Sequence, residues 1–365
     1  MTNNVLVKYA DLLVNYCLRL KAGELLYIHS TFLAEPLVRE VYKIACSLGV
    51  KVEINWQFRE MNKIFMDYAS ENLLRQVSTT EVDLMSTCDA YLMIRAPYNL
   101  MEDAEINQDK RKIRSEALSR LNEIYFKRIS DGSMKRCLCQ YPTSAAAQMA
   151  GMSLEDYEKF VYRSCFLDDD TPADRWKEIS QFQQRIVDYL NKIEHMTYEN
   201  ENMKISFSVK NRIWINSDGK NNMPSGEVFT SPIEDSVSGI GYFDYPSIIW
   251  GQEVSGIRLV VKNGKIIEWD AKIGKDVLDK VFEIKGSRYF GEVALATNYA
   301  IKRPTKNILF DEKIGGTVHM AVGQSYLQAG GKNKSTVHWD LIADMKKGKI
   351  YADNRLIFEN GNFNI

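Results

Sequence analysis

Between Gly291 and Asp340 the chain gathers the side-chain types that hold metal ions. The stretch reads Gly291-Glu292-Val293-Ala294-Leu295, then Gly316-Thr317-Val318-His319-Met320-Ala321-Val322-Gly323-Gln324-Ser325-Tyr326, then Ser335-Thr336-Val337-His338-Trp339-Asp340. Two of the chain's four histidines lie here, in apolar, β-branched surroundings. His338 and Asp340 are two residues apart, so on a strand both side chains leave the same face. An imidazole and a carboxylate on one face, with a second His and a Glu nearby, suit a divalent cation.

A further acid stands upstream, in Ser225-Gly226-Glu227-Val228-Phe229-Thr230. Glu227 and Glu292 share one local phrase, Gly-Glu-Val. The glycine leaves the backbone open to close approach, and the apolar residues that follow call for burial. A buried carboxylate must be paired, hydrogen-bonded or metal-bound, so either Glu alone also fits a structural role. With His319, His338 and Asp340 they make three carboxylates and two imidazoles, too many for a closed zinc site. The set suits a pair of divalent ions sharing ligands, with positions open to water and substrate. Tyr326 follows His319 by seven residues and is either a core tyrosine or a hydrogen-bond donor to a developing oxyanion.

Two kinds of element must position these groups. Val5 to Leu20 has the apolar spacing of a helix, and Glu24 to His29 reads as a buried strand. A helix from Leu37 to Leu48, opened by Pro36 and ended by Gly49, leads to the strand Lys51 to Trp56, a βαβ unit. Helices over Ala69 to Val77 and Ile113 to Ser130 alternate with strands Ala90 to Arg95 and Arg136 to Tyr141, the last closing an open α/β sheet. Ser153 and Asp156 have capping-box spacing. No GxGxxG occurs, so a dinucleotide site is not supported. Asp168-Asp169-Asp170-Thr171-Pro172 reads as the acidic start of a linking helix rather than as a metal site.

Beyond His195 the pattern turns to short alternating runs. Asn263-Gly264 marks a hairpin within Ile257 to Asp270, and a helix is expected near Gly274 to Phe282. The expected architecture is therefore α/β: an N-terminal open α/β sheet domain, 1–196, and a β-rich α+β catalytic domain, 197–365. His29, at the end of a strand, and His195, expected at a helix C-terminus, are assigned no chemistry.

Composition narrows the partners. At 365 residues two domains are expected, and 45% hydrophobic with 26% charged residues is ordinary for a soluble protein. A net charge of −1 gives no footprint for nucleic acid, and no run approaches a membrane span. Six scattered cysteines without a CxxC read as buried free thiols in a reducing compartment. No secretory leader is evident, so a cytoplasmic location is expected.

The Gly226–Thr230 and Gly291–Leu295 phrases, the His319 strand with Tyr326, and His338-Trp339-Asp340 resemble the thermophilic metallo-aminopeptidases of the aminopeptidase T and S type. The resemblance extends to Tyr9-Ala10-Asp11-Leu12-Leu13-Val14 and Ala150-Gly151-Met152-Ser153, and so covers nearly the whole chain. It implies an exopeptidase that removes N-terminal residues of peptides through a water activated by two divalent ions, zinc, cobalt or manganese. Glu227, Glu292, His319, His338 and Asp340 would be ligands. Tyr326 would supply an active-site hydroxyl, and Glu227 or Glu292 would bridge the metals or act as base. The family further implies a homodimer whose sites face an internal cavity. The alternatives are another metal-dependent amidohydrolase with the same ligands, or a catalytically silent peptide-binding protein.

Overall fold

Strand Leu25–Thr31 lies between two parallel neighbours, Lys51–Gln57 on one side and Ala90–Arg95 on the other. This computed structural model describes residues 2–365. By its internal contacts the chain divides into two units, the residues up to Ala173 with Gly219–Met223, and Asp174–Asp218 with Pro224–Ile365.

In the first unit the parallel sheet continues through Lys135–Gln140 and ends on the two-residue strand Asn222–Met223. Apolar residues of its strands, among them Leu26, Ile28, Leu92, Ile94 and Cys139, are buried. The βαβ unit forms as expected, through the helix Glu35–Ser47 with Pro36 in its first turn. Three expectations change. The opening helix Thr2–Asp11 widens into a π-helical segment, Leu12–Cys17, before it stops. The single helix expected over Ala69 to Val77 is replaced by Met61–Tyr68, Glu71–Leu74 and Thr79–Thr87, because Ser70 and Ser78 each accept a backbone N–H and start a new helix. The sheet does not close at the strand after Ser130, since Asn222–Met223 adds to its edge. All six cysteines are free thiols, five of them buried and Cys46 exposed.

The second unit is antiparallel. The hairpin turn at Asn263 (φ 49°) and Gly264 (φ 79°) joins Ile257–Lys262 to Lys265–Asp270, and a Cβ at Gly264 would meet the Glu234 carbonyl at 1.8 Å. These two strands lie at one edge of an eight-stranded sheet that includes Ser238–Phe243, Lys204–Ser208 and His195–Glu199. His195 therefore opens a strand, not a helix end: the preceding helix Pro172–Leu190 has already finished. A second, five-stranded sheet runs in the order His338–Asp344, Thr317–Gly323, Phe290–Ala296, Glu227–Thr230, Ile215–Ser217. Its strands send Val228, Val293, Leu295, Val318, Met320, Trp339 and Leu341 into a core shared with Tyr198, Phe207 and Phe243 of the larger sheet. Alternation then directs Glu227, Glu292, His319, His338 and Asp340 to the opposite face.

Candidate metal centre

That opposite face is floored by alanine. Asp340 pairs with Ala321, which pairs with Glu292, and His319 pairs with Ala294, while Glu227 pairs with Ala296. Each small side chain leaves the space above it to a polar neighbour one strand away. The glycines of the repeated phrase act differently from one another. Gly226, at φ 116°, lies against Asn298, where a Cβ would come within 2.7 Å of its Cβ. Gly291 sits where the register between Phe290–Ala296 and Thr317–Gly323 slips, and a Cβ there would meet the Gln324 carbonyl at 2.3 Å. The bulge brings Glu292, rather than its neighbour, opposite Ala321.

Five residues singled out by type and spacing converge here. His319 Nε2 lies 3.5 Å from Glu227 Oε2 and 3.6 Å from Glu292 Oε1. His338 Nε2 lies 3.1 Å from Glu292 Oε2 and 3.5 Å from Asp340 Oδ1. The His338 ring is oriented from behind, by its Nδ1–H donating to the Gln324 carbonyl at 2.8 Å. Gln183, on the helix Pro172–Leu190, donates to the carbonyls of Glu227 and Ser217 and fixes two adjacent strand ends. Tyr326 stands at the rim, 37% exposed, its ring 5.1 Å from Phe229 and 5.2 Å from His338 between centroids. Ser231 ties this rim to the bulge by donating to Gly291 O and accepting from Tyr326 N.

Two neighbours were not anticipated from the sequence. Glu312 and Lys313 follow the short helix Ile308–Asp311, whose Asp311 carboxylate accepts from Thr305 N, Thr305 Oγ1 and Lys306 N. Asn298 N donates to the Lys313 carbonyl, and the wholly buried Lys313 ammonium donates to Glu312 and lies 3.6 Å from Glu227 Oε1. The signal that could have exposed them is a charged pair hemmed between Phe310 and Ile314.

The electrostatics are those of an acidic cluster drawing in positive charge. Burial works against a charged His319, yet the nearby carboxylates of Glu292 and Glu227 prevail and push it up to about 9. His338 is raised for the same reasons, with Asp340 the chief opponent of burial. Burial would raise Asp340, but His338 pulls it down to about 2, and the two histidines likewise lower Glu292. Glu312 is pushed up to about 8 by burial, with Lys313 opposing. The charge of Glu292, together with burial, raises Tyr326, which keeps its proton at neutral pH.

Whether these residues fit a cation is decided by their unsatisfied atoms. Glu227 Oε2 and Asp340 Oδ1 are buried without a hydrogen-bond donor, a costly state for carboxylate oxygens that a cation would relieve. Ligand atoms of Glu292, His338 and Asp340 all lie within 4.8 Å of one another, and those of Glu312, His319 and Asp340 do the same. The mixed oxygen and imidazole donors suit a first-row divalent ion. The other candidates do not join. His29 lies within a first-unit strand, and His195 pairs at 3.9 Å with Asp353. Asp168 and Asp170 lie near Arg163 and Lys8, and among the described residues they form no ligand group.

Carboxylates and imidazoles gathered on one face of an antiparallel sheet define the class as a candidate metal-binding protein. Residues 2–363 match the family model described as thermophilic metalloprotease (M29), and the chain belongs to that family of peptide hydrolases. Aminopeptidase 2 of Geobacillus stearothermophilus is 27% identical over 98% of this chain and 97% of its own length. Aminopeptidase AmpS of Bacillus subtilis is 25% identical over 97% of each. The solved structure of wild-type AmpT from Thermus thermophilus superposes with a TM-score of 0.86 over 100% of both chains at 20% identity, which establishes the shared fold. Among the described residues no helix is long and apolar enough to cross a membrane.

Proposed function

We propose that the chain is a metal-dependent aminopeptidase that removes the N-terminal residue of peptides using two divalent ions. The observation that carries this reading is the place of Asp340 in both ligand groups, Glu292 with His338 on one side and Glu312 with His319 on the other. One carboxylate common to two triads suits a pair of ions that would share a ligand. The full-length relatives named as aminopeptidases support the same substrate class. Zinc, cobalt or manganese would be held by Glu227, Glu292, His319, His338 and Asp340, with Glu312 added to the set. When bound, such ions polarise a carbonyl and bring the pKa of water toward ~7.

The remaining work falls to the chain's own groups. Tyr326, protonated and at the rim, donates a hydrogen bond to the scissile carbonyl oxygen as negative charge grows on it. Glu227 or Glu292 accepts the proton of the attacking water and passes it to the departing amine. The carboxylates of the cluster attract the peptide's free ammonium, which selects a chain terminus over an internal bond. The reading also includes a homodimer, on the family resemblance alone, and a cytoplasmic location, which six free thiols support; sedimentation measurement of mass in solution tests the first.

The test is hydrolysis of leucyl-4-nitroanilide and of a free tripeptide, after chelation and after zinc, cobalt or manganese is restored singly. Activity lost on chelation, regained with one ion and absent on the N-acetylated tripeptide is the expected result. Equal cleavage of the acetylated peptide would move the assignment to another amidohydrolase. Silence under every ion in folded, loaded protein would refute catalysis.

A further inference from the structure

The catalytic reading leaves the placement of Lys313 unexplained. Its side chain is wholly buried, so it meets no solvent. Burying an ammonium is costly unless well-placed partners repay it. Its partners are Glu312, to which it donates, and Glu227 Oε1 at 3.6 Å. Glu227 is thereby divided: Oε1 faces the lysine, while Oε2 faces His319 and has no hydrogen-bond donor. Four carboxylates, those of Glu227, Glu292, Glu312 and Asp340, meet around two imidazoles and this single ammonium.

We propose that Lys313 is a resident counter-cation of the centre, a positioning residue that holds Glu227 and Glu312 in the metal-free chain and weakens the grip of the cluster on the ions it takes. This rests on the reading of the cluster as a metal centre. The lysine stabilises the acidic cluster while no ion is present, and repels a divalent ion once one arrives. It also determines that Glu227 offers Oε2 rather than Oε1 to an incoming cation. Burial opposes the charge on Lys313, and Glu227 and Glu312 outweigh it, raising its pKa above that of an ordinary lysine. A purely structural lysine and a counter-cation differ in sign. Loss of the first loosens metal binding, whereas loss of the second tightens it.

The experiment is calorimetric titration of manganese(II) and zinc(II) into the chelator-stripped full-length chain, with thermal melting with and without each ion. Lys313→Met is expected to melt lower than wild type when metal-free, to bind the ion at least about tenfold more tightly, and to recover its melting temperature on binding. Lys313→Arg, which keeps the charge, is expected to hold wild-type affinity and stability. Equal or weaker binding by Lys313→Met, or a stability loss that the ion does not recover, overturns the proposal. Should Lys313→Met stay unfolded with and without ion, Lys313→Arg decides: wild-type values support the counter-cation, and a change in either overturns it. A wild-type chain that binds neither ion fails at the earlier step, sinking the metal centre and this inference with it.

Discussion

The parallel sheet of the first unit and the five-stranded antiparallel sheet of the second bury polar side chains on their strands to opposite effect. In the parallel sheet Ser30 donates to Ile94 O, Thr31 to Ala96 O and Gln140 to Tyr141 O, so each polar group is answered by backbone. In the five-stranded antiparallel sheet Glu227, Glu292, His319 and Asp340 are buried among one another, and two of their oxygens have no donor. A satisfied polar group cements a fold. A cluster of charges answered only by each other stores free energy that a ligand can release. The acidic face, not the open edge of the parallel sheet, is therefore where chemistry is expected.

The strongest way to break that contrast is to remove one buried polar group from each sheet. Glu292→Gln keeps size and shape but takes away a carboxylate that faces both histidines. It is expected to lower metal affinity by more than the ~10–100-fold that loss of an outer partner costs, and turnover by at least ~10²–10³-fold. Ser30→Ala, in the other sheet, removes one buried hydrogen bond worth about 1 kcal/mol and leaves metal content at wild-type level. Metal analysis and peptide assay of the two purified variants check this. Full activity in Glu292→Gln at full metal content would end the assignment.

Glycine offers a second, smaller contrast. Gly291→Ala forces a Cβ to within 2.3 Å of the Gln324 carbonyl at the bulge that aims Glu292. A shift of about 1 Å in a reacting group can cost ~10²-fold in rate, so a loss of that order is expected with the fold retained. At Gly49 in the first unit (φ 75°) the nearest atom to an added Cβ is Ala22 Cβ at 3.5 Å. Gly49→Ala therefore costs only backbone strain, about 1–2 kcal/mol, visible in a thermal melt and not in turnover.

The same contrast accounts for what the sequence made legible. Strands such as Lys51–Gln57 and Ala90–Arg95 could be read because their apolar and β-branched residues run between turn signals. The α/β class followed from that rhythm, and the Gly-Glu-Val phrase singled out two acids because a Glu amid buried neighbours breaks the local pattern. Glu312 and Lys313 escaped because irregular backbone has no period, and a charged pair in a loop is ordinarily solvated. Ser70 falls inside the single run expected over Ala69 to Val77 and Ser78 just beyond it, and as N-caps they divide that region into separate helices. His195 was misplaced by a few residues, the scale on which helix ends are least defined.

The smallest effect lies in how each unit responds to pH, and there the two have opposite signs. In the first unit burial lowers His29, with the Gln57 side chain opposing it only in part, so the folded chain holds that proton less tightly than the unfolded one. Its contribution is present above the ordinary histidine value of ~6.5 and is lost as pH falls below it. In the second unit His319 stands at about 9 when no metal is bound, so the folded chain holds the proton more tightly. That contribution is complete below the ordinary value and is lost as pH rises through about 9. Each group changes stability by at most about 1.4 kcal/mol per pH unit inside its window. Urea unfolding of the chelated chain from pH 5 to 10 is expected to flatten on the acid side in His29→Gln and on the alkaline side in His319→Gln. If His319→Gln leaves the alkaline limb unchanged, the carboxylates around it do not hold a proton in the metal-free chain. The acidic face would then differ from the parallel sheet in shape but not in stored charge.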